Sequence, residues 1–370
     1  MSKPDATNSA GLSAETDLLA KFARDVELAG LVGEQENAKI VLLAAASAWL
    51  QKPINVTLQG ASSAGKNHLM ACVAGFIPDD HKKFLSGMSP KALMHSDATE
   101  FQHKAVFIAE YEGVAGADYA IRTMQSEQTI EYLFVDSTKD GLQNKTARVR
   151  GPAAFIQATT RLRLHPENET RLLFIHVDES EAQTRAILRR QAQQAATGPL
   201  PVPENLYPSW HAHLRSLTLN KVCIPYAQRL AERFPADRVC CRRDFPKLLA
   251  LIESSAFLHQ HCRSQDGNVV IASRADYGVA KLLFEHTQAG GPDRALEKLV
   301  RAAQEYASPF RVPDLMPVLG WGKSKTYEVL ARAEEPGYIV EDASVGKGCY
   351  RFEKAYSQAP MDLPEPESLG

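Results

Sequence analysis

No apolar run in this chain approaches the roughly 20 residues that a helix needs to cross a bilayer. The opening residues, MSKPDATNSAGLSAETD, contain no apolar h-region, so no secretory leader is expected. Six cysteines (Cys72, Cys223, Cys240, Cys241, Cys262 and Cys349) make no CxxC pair and no disulfide-framework spacing. Structural thiols in a reducing cytoplasm are therefore the expectation. The pairs His211/His213 and His259/His261 stand two residues apart, which does not bring two imidazoles onto one helix face. With no thiolate or carboxylate set to complete either pair, no zinc site is expected. Net charge is only −2, which excludes a broadly basic body, so any footprint on nucleic acid must be local. There is no internal repeat and no primase-like or nuclease constellation.

What is present is ordinary globular material, 44% hydrophobic and 23% charged over 370 residues, enough for about two to three domains. Residues 1–29 are expected to be a flexible and helical N-terminal segment. The pattern from Glu15 to Trp49 is helical and ends in NAKIVLLAAASAWL; Pro53 stops it. INVTLQG then predicts a short buried strand, and HLMACVAGF a helix. Further strands are expected at 104–110 (KAVFIAE), 129–135 (TIEYLFV), 153–160 (AAFIQATT) and 171–178 (RLLFIHVD). Their near-continuous apolar character is that of strands covered on both faces by helices. An α/β P-loop core with a parallel sheet is therefore expected over 30–180. A mostly helical region follows at 181–290, interrupted by GPLPVPE. A folded module is expected at 291–356, and a Pro- and acid-rich disordered tail at 357–370.

The most specific motif is LQGASSAGKNHLM, Leu58–Met70. Gly60, Ala61, Ser62, Ser63, Ala64, Gly65, Lys66, Asn67 and His68 fit a phosphate-binding loop between a buried strand and a helix. Such a loop aims backbone N–H groups and a helix N-terminus at phosphate oxygens, while Lys66 reaches the β- and γ-phosphates. Asn67 stands where a Ser or Thr hydroxyl ordinarily holds Mg²⁺. Its amide carbonyl is an uncharged but competent ligand, because Mg²⁺ keeps most of its waters and leans on substrate phosphates.

A hydrolase also needs an acid at a neighbouring strand end. AVFIAEYEG offers two registers. In one, Ala109 replaces an Asp and Glu110 activates water; in the other, Glu110 takes the metal and Glu112 follows. Thr159 and Thr160 end a strand where a polar group can sense the γ-phosphate. Arg171, at the start of RLLFIHVDES, is placed to reach a neighbouring subunit's nucleotide, a contact worth on the order of 10³-fold or more in turnover.

In this order the parts resemble the AAA+ ATPases, specifically the minichromosome-maintenance-like helicases of phages and mobile genetic elements. The matching stretches are GEQENAKIVLLAAASAWL, GASSAGKNHL, FIAEYEG, GPAAFIQATT, ENETRLLFIHVDESEAQT and CRRDFPKLLALIESSA, over roughly residues 30–265. The resemblance implies an AAA+ core at 30–180, a helical lid at 181–290, and ATP with Mg²⁺ between subunits of a homo-hexamer. It implies Lys66 as the phosphate-loop lysine, Glu110 as the acid, Thr160 as sensor 1, Arg171 as the arginine finger and Arg243 as the sensor-2 arginine. Asn67 and Glu110 would hold the metal. The sequence departs from the family at Asn67 and in lacking an Asp-Glu pair.

Between TIEYLFV and AAFIQATT lies DSTKDGLQNKTARVRGP, with Asp140-Gly141 as a hairpin-turn signal. In the resembling helicases a hairpin at this point carries a basic residue onto single-stranded DNA, which makes Lys139 the first candidate and Lys145 the second. Residues 291–356 are expected to form a winged helix. Its recognition helix would present Lys323, Ser324, Lys325 and Thr326 to double-stranded DNA, and its wing Lys347 to phosphate. Glu328, Glu334, Glu335, Glu341 and Asp342 suit the lesser alternative, docking of a replication partner protein.

The reading as a whole is a cytoplasmic, ring-forming ATPase that moves along or unwinds DNA in replication of a phage or mobile element, with no membrane contact. One alternative is a DNA-binding initiator or loader that uses ATP for assembly without processive unwinding. Another is a regulatory protein that binds nucleotide only.

Overall fold

The computed structural model describes residues 9–89, 91–138, 141–161, 171–198, 201–236, 241–288, 294–306, 309–334, 337–342, 344–353, 361 and 363–369. The chain divides into two compact units, 1–287 with 362–370, and 288–361.

The first unit is built on a five-stranded sheet. Its strands are β1 (Val56–Gln59), β2 (Lys82–Leu85), β3 (Lys104–Ile108), β6 (Ala153–Thr159) and β7 (Leu173–His176), once the hairpin β4 (Thr129–Thr138) and β5 (Gly141–Arg150) is set aside. The order across the sheet is β2-β3-β6-β1-β7, and every pairing in it is parallel. All residues of β1 and β6 are buried, the burial that continuous apolar strands under helices demand.

The helices of this unit are α1 (Ser9–Ser13), α2 (Leu18–Leu28), α3 (Gln35–Ser47), α4 (Lys66–Gly75), α5 (Asp118–Glu127), α6 (Glu181–Thr197), α7 (Leu206–Ser216), α8 (Ala227–Arg233), α9 (Cys241–Leu258) and α10 (Arg274–Gln288). Helix α3 is apolar nearly all round, and Ile40 to Ala46 are fully buried, as expected of a helix enclosed in a core. Its end is closed by Ser47, whose Oγ donates to Ala44 O at 2.6 Å and accepts the Ile54 N–H at 2.7 Å. That clasp hands the chain past Pro53 directly into β1. Helix α2 is pinned to α7 where Trp210 Nε1–H donates to Asp25 at 2.8 Å, inside an edge-to-face cluster with Phe22 and Phe76. No helix among the described residues is long and apolar enough to cross a membrane.

Five expectations change. The helical pattern from Glu15 to Trp49 is two helices, broken over residues 29–34, where Gly30, Gly33 and Glu34 take positive φ. Residues 129–135 are not in the parallel sheet: β4 pairs only with β5, antiparallel, from Thr129↔Arg150 to Thr138↔Gly141. The cause is alternation. Tyr132 and Phe134 stack on one face with His95 edge-on, while Leu133 and Val135 on the other are 63% and 60% exposed. Gly141 is paired in β5 rather than turning the hairpin; Lys139 and Asp140 lie outside the described residues. The helical region also carries a small sheet of β8 (Lys221–Cys223), β9 (Gln265–Asp266) and β10 (Val269–Ile271). Finally, the acidic segment read as a disordered tail is docked over residues 363–369, with Leu363 and Leu369 buried. Apolar anchors and basic partners overcome its composition.

The second unit contains α11 (Arg294–Glu305), α12 (Val312–Leu319), α13 (Lys323–Glu334), β11 (Ile339–Glu341) and β12 (Tyr350–Phe352). Leu299, Val300, Leu315, Val329, Leu330 and Ile339 form its core. Phe310 bridges to Tyr350, adding a third short backbone contact to the β11–β12 hairpin.

Candidate nucleotide site

The chain leaves β1 at Gln59 and turns through Gly60 to Gly65 into α4, whose first residue is Lys66. Two glycines are required there. A Cβ on Gly60 would lie 2.4 Å from Val177 Cγ2, and Gly65 has φ +90° at the helix N-cap, a conformation open to glycine at no steric cost. Lys66 is buried, and its ammonium donates to Gly60 O at 2.8 Å and Ala61 O at 2.6 Å. Burial pulls its pKa below the usual lysine value, opposed by the charges of Glu179, Glu110 and Glu112. The charges of three carboxylates thus act on the loop's one buried cation.

Because β6 lies between β1 and β3, the end of β6 falls between the phosphate loop and the acids. Thr159 there is buried. Its hydroxyl donates to Glu112 at 3.4 Å and accepts the Arg161 N–H at 3.0 Å. Glu112 also pairs with Arg161 at 3.0 Å, whose guanidinium lies over the Tyr111 ring. Gln59 ties this group back to β1 by donating to Arg161 O at 2.6 Å. Glu112 is therefore engaged. The exposed Glu110 carboxylate, just past β3, makes no hydrogen bond or ion pair among the described residues. Thr160 is exposed one residue beyond the strand, and Asn67 and His68 are exposed on the first turn of α4.

Beside the loop lies a cavity of about 740 Å³. Its walls are the phosphate loop, the 29–34 break and helix α6, with Leu31, Val32, Leu69 and Ile187 as apolar lining. The segment leaving β7 organises these walls. Glu179 accepts the Ala61 N–H, Asp178 N–H donates to Glu34, and Gln183 donates to Val32 O at 2.6 Å. Burial raises the Glu34 pKa. Asn37 completes the tie, donating to Glu34 and, at 2.7 Å, to His176 O. Arg190 also lines the cavity, with a buried Nε that has no partner among the described residues. Sequence reasoning missed Glu34, Asp178, Glu179, Gln183 and Arg190. The signals for the first four were VDESEAQT at the end of a predicted strand and GLVGE within a helical pattern; Arg190 had none.

Other expected residues lie elsewhere. Arg171 precedes β7, the strand beside β1, at the opposite end of the strands from the phosphate loop, about five residues or roughly 16 Å along the strand. Its Nε donates to Ser126 Oγ at 2.9 Å. Arg243 is exposed on the first turn of α9 and does not line the cavity. Lys145 is exposed on β5 opposite Phe134, and Lys139 lies outside the described residues. In the second unit Lys323, Ser324, Lys325 and Lys347 are exposed, and Lys325 sits 4.9 Å over the Trp321 ring. Thr326 is buried and donates to Gly322 O at 3.0 Å, so it cannot face DNA as expected. His211, His213, His259 and His261 are each engaged in hydrogen bonds with protein groups.

A protein-family model described as the MTBMA_p00010 P-loop domain matches residues 15–217, a span that includes every wall of this cavity. No curated protein matches the chain.

Proposed function

The chain belongs to this P-loop domain family, and on that premise we propose that it is an ATPase of AAA+ type that drives movement along or unwinding of DNA. A homo-hexameric ring serving replication of a phage or mobile element is the assembly this reading entails. The observation that carries it is the pairing of the glycine-bounded loop Gly60–Gly65 and buried Lys66 with an unengaged Glu110 across β6.

In this reading ATP lies with its base and ribose in the cavity and its phosphates on the loop. Lys66 exchanges the Gly60 and Ala61 carbonyls for β- and γ-phosphate oxygens. Glu110 orients the attacking water or, in the other register, takes the metal, and Thr160 or the neighbouring Thr159 senses the γ-phosphate. Arg171, too far from its own phosphate loop, serves the neighbouring subunit, and Arg243 acts from the lid. The donor set suits Mg²⁺: the exposed Asn67 amide at the helix start and the unengaged Glu110 carboxylate would hold it. When bound, Mg²⁺ neutralises charge on the phosphates. Lys139 and Lys145 of the hairpin would contact single-stranded DNA.

The exposed Lys323, Lys325 and Lys347 on a three-helix unit with a β-hairpin favour a second reading, a DNA-binding initiator or loader. There the second unit, as a winged helix, contacts duplex DNA or docks a replication partner, and ATP drives assembly alone. Steady-state ATP hydrolysis with Mg²⁺, with and without single-stranded DNA, tests the first step. DNA-stimulated turnover is expected; turnover absent while ATP still binds would reduce the protein to a nucleotide-gated binder. Strand displacement then separates motor from initiator.

A further inference from the structure

The acidic segment 363–369 lies against helices α8 and α10. Leu363 and Leu369 are buried to 2% and 0% exposure. Tyr277 Oη donates to Pro364 O at 2.7 Å, Arg233 to Ser368 O at 2.7 Å, and Arg229 to Leu369 O at 2.9 Å. Lys281 pairs with Glu365 at 2.5 Å. Pro366 packs on Gly278, where an added Cβ would meet it at 3.6 Å.

These are the contacts of peptide recognition: two apolar sockets at fixed spacing, backbone carbonyls held by side chains between and beyond them, and one ion pair. Apart from one 3₁₀ turn, Pro366–Leu369, the segment has no regular structure of its own. The groove, in contrast, is built without it. Tyr226 Oη donates to Ser273 O at 2.7 Å, joining the start of α8 to that of α10. Buried Asp276 accepts from Arg263, Ser255 and Ser273. None of these bonds involves residues 363–369. Charge is complementary as well: Lys281, Arg229 and Arg233 face the stretch 363–369, whose only charged residues are Glu365 and Glu367.

We propose that this groove is a peptide-recognition site, and that it accepts residues 363–369 from a second copy of the chain as well as from its own. Identity of sequence makes a second copy a fitting donor. The second unit stands between α10 and the segment in the chain, so the segment is tethered to its groove rather than continuous with it. Exchange between copies keeps every contact, and tethering favours the chain's own segment only through effective concentration.

The test uses two full-length variants and a fluorescent peptide of residues Asp362–Gly370. In Leu363→Ser/Leu369→Ser the groove is vacated with its walls intact. Saturable peptide binding is expected, at least tenfold tighter than to wild type, whose groove is filled. Binding weakens at least tenfold when Lys281→Glu is added to the vacated chain. In the second variant, Lys281→Glu/Arg229→Ala, the segment is intact and the groove disabled. Mixed, the two variants are expected to join through a heterodimeric exchange, giving a complex heavier in light scattering than whatever assembly either forms alone. No peptide binding by a cooperatively unfolding vacated chain overturns the proposal; peptide binding without a heterodimer overturns the exchange. Should the serine variant fail to fold, hydrogen exchange on wild type decides. Segment amides exchanging at least 100-fold faster than those of α10 support a separable ligand, and equal protection overturns it.

Discussion

The phosphate-loop edge of the first unit and the exposed face of the second unit are both rich in charge, and they use it in opposite ways. At the phosphate loop several polar groups are tied to one another. Lys66 holds the loop carbonyls, Glu179 holds the Ala61 N–H, and Arg161, Thr159 and Glu112 close on one another. In the second unit Lys323 and Lys347 stand exposed above a core of aliphatic side chains. Groups interlocked around the buried Lys66 and Thr159 make function depend steeply on single atoms, because removing one partner strands the rest. Exposed lysines act additively and are screened by salt. The first region is suited to chemistry, the second to graded surface contact.

The largest effect that would sharpen this contrast is at Lys66. Lys66→Ala is expected to lower ATP turnover by 100-fold or more, about 2.7 kcal/mol in transition-state stabilisation, measured as steady-state hydrolysis. Unchanged hydrolysis in that variant would sink the ATPase reading.

Next is loss of stability between pH 6.5 and 4, which should belong to the first unit alone, since residues 294–353 contain no histidine. His213 is fully buried, and burial depresses its pKa from 6.5 to about 4; burial also lowers that of His259, whose Nε2 accepts the Leu18 N–H. Above pH 6.5 both states of His213 are neutral and stability is complete. As pH falls from 6.5 towards 4 the unfolded chain takes up the proton first, so stability is lost, for His213 by on the order of 3 kcal/mol. Denaturant unfolding against pH measures this, and His213→Gln should flatten the slope. A second unit equally acid-labile would break the comparison.

Gly60→Ala is expected to cost about 1–3 kcal/mol through overpacking on Val177, read in thermal unfolding, and to impair nucleotide binding. A neutral result would mean that the loop is less constrained than its contacts imply.

The smallest effects are on the second unit. Lys323→Ala or Lys347→Ala is expected to weaken duplex DNA binding severalfold and to reduce the salt slope by about one each, without altering nucleotide binding. A loss of turnover in either variant would contradict a surface role.

Much of the core was legible because its signals are local. The strands at 104–108, 153–159 and 173–176 lie within the apolar runs that predict them, and GASSAGK lies between strand and helix as its chemistry requires. The same apolar criterion misplaced TIEYLFV, where Glu131 within the run already marked a half-exposed strand. Opposite it, Arg148 pairs with Glu131 at 3.1 Å. The cavity was illegible. It joins residues 29–34, 61–69 and 177–194, and no local pattern says that a carboxylate at Glu179 will close on a loop more than a hundred residues earlier.

By itself, then, the sequence determined a phosphate loop, a parallel α/β core around it and a separate helical module, since periodicity, apolar runs and glycine spacing act over a few residues. Only the tertiary structure decided which acid is engaged, which wall completes the cavity, where Arg171 stands and that an acidic, proline-rich segment is docked. Those outcomes depend on partners distant in the chain, and a side chain's burial and charge environment are set by what packs against it, not by its neighbours in sequence.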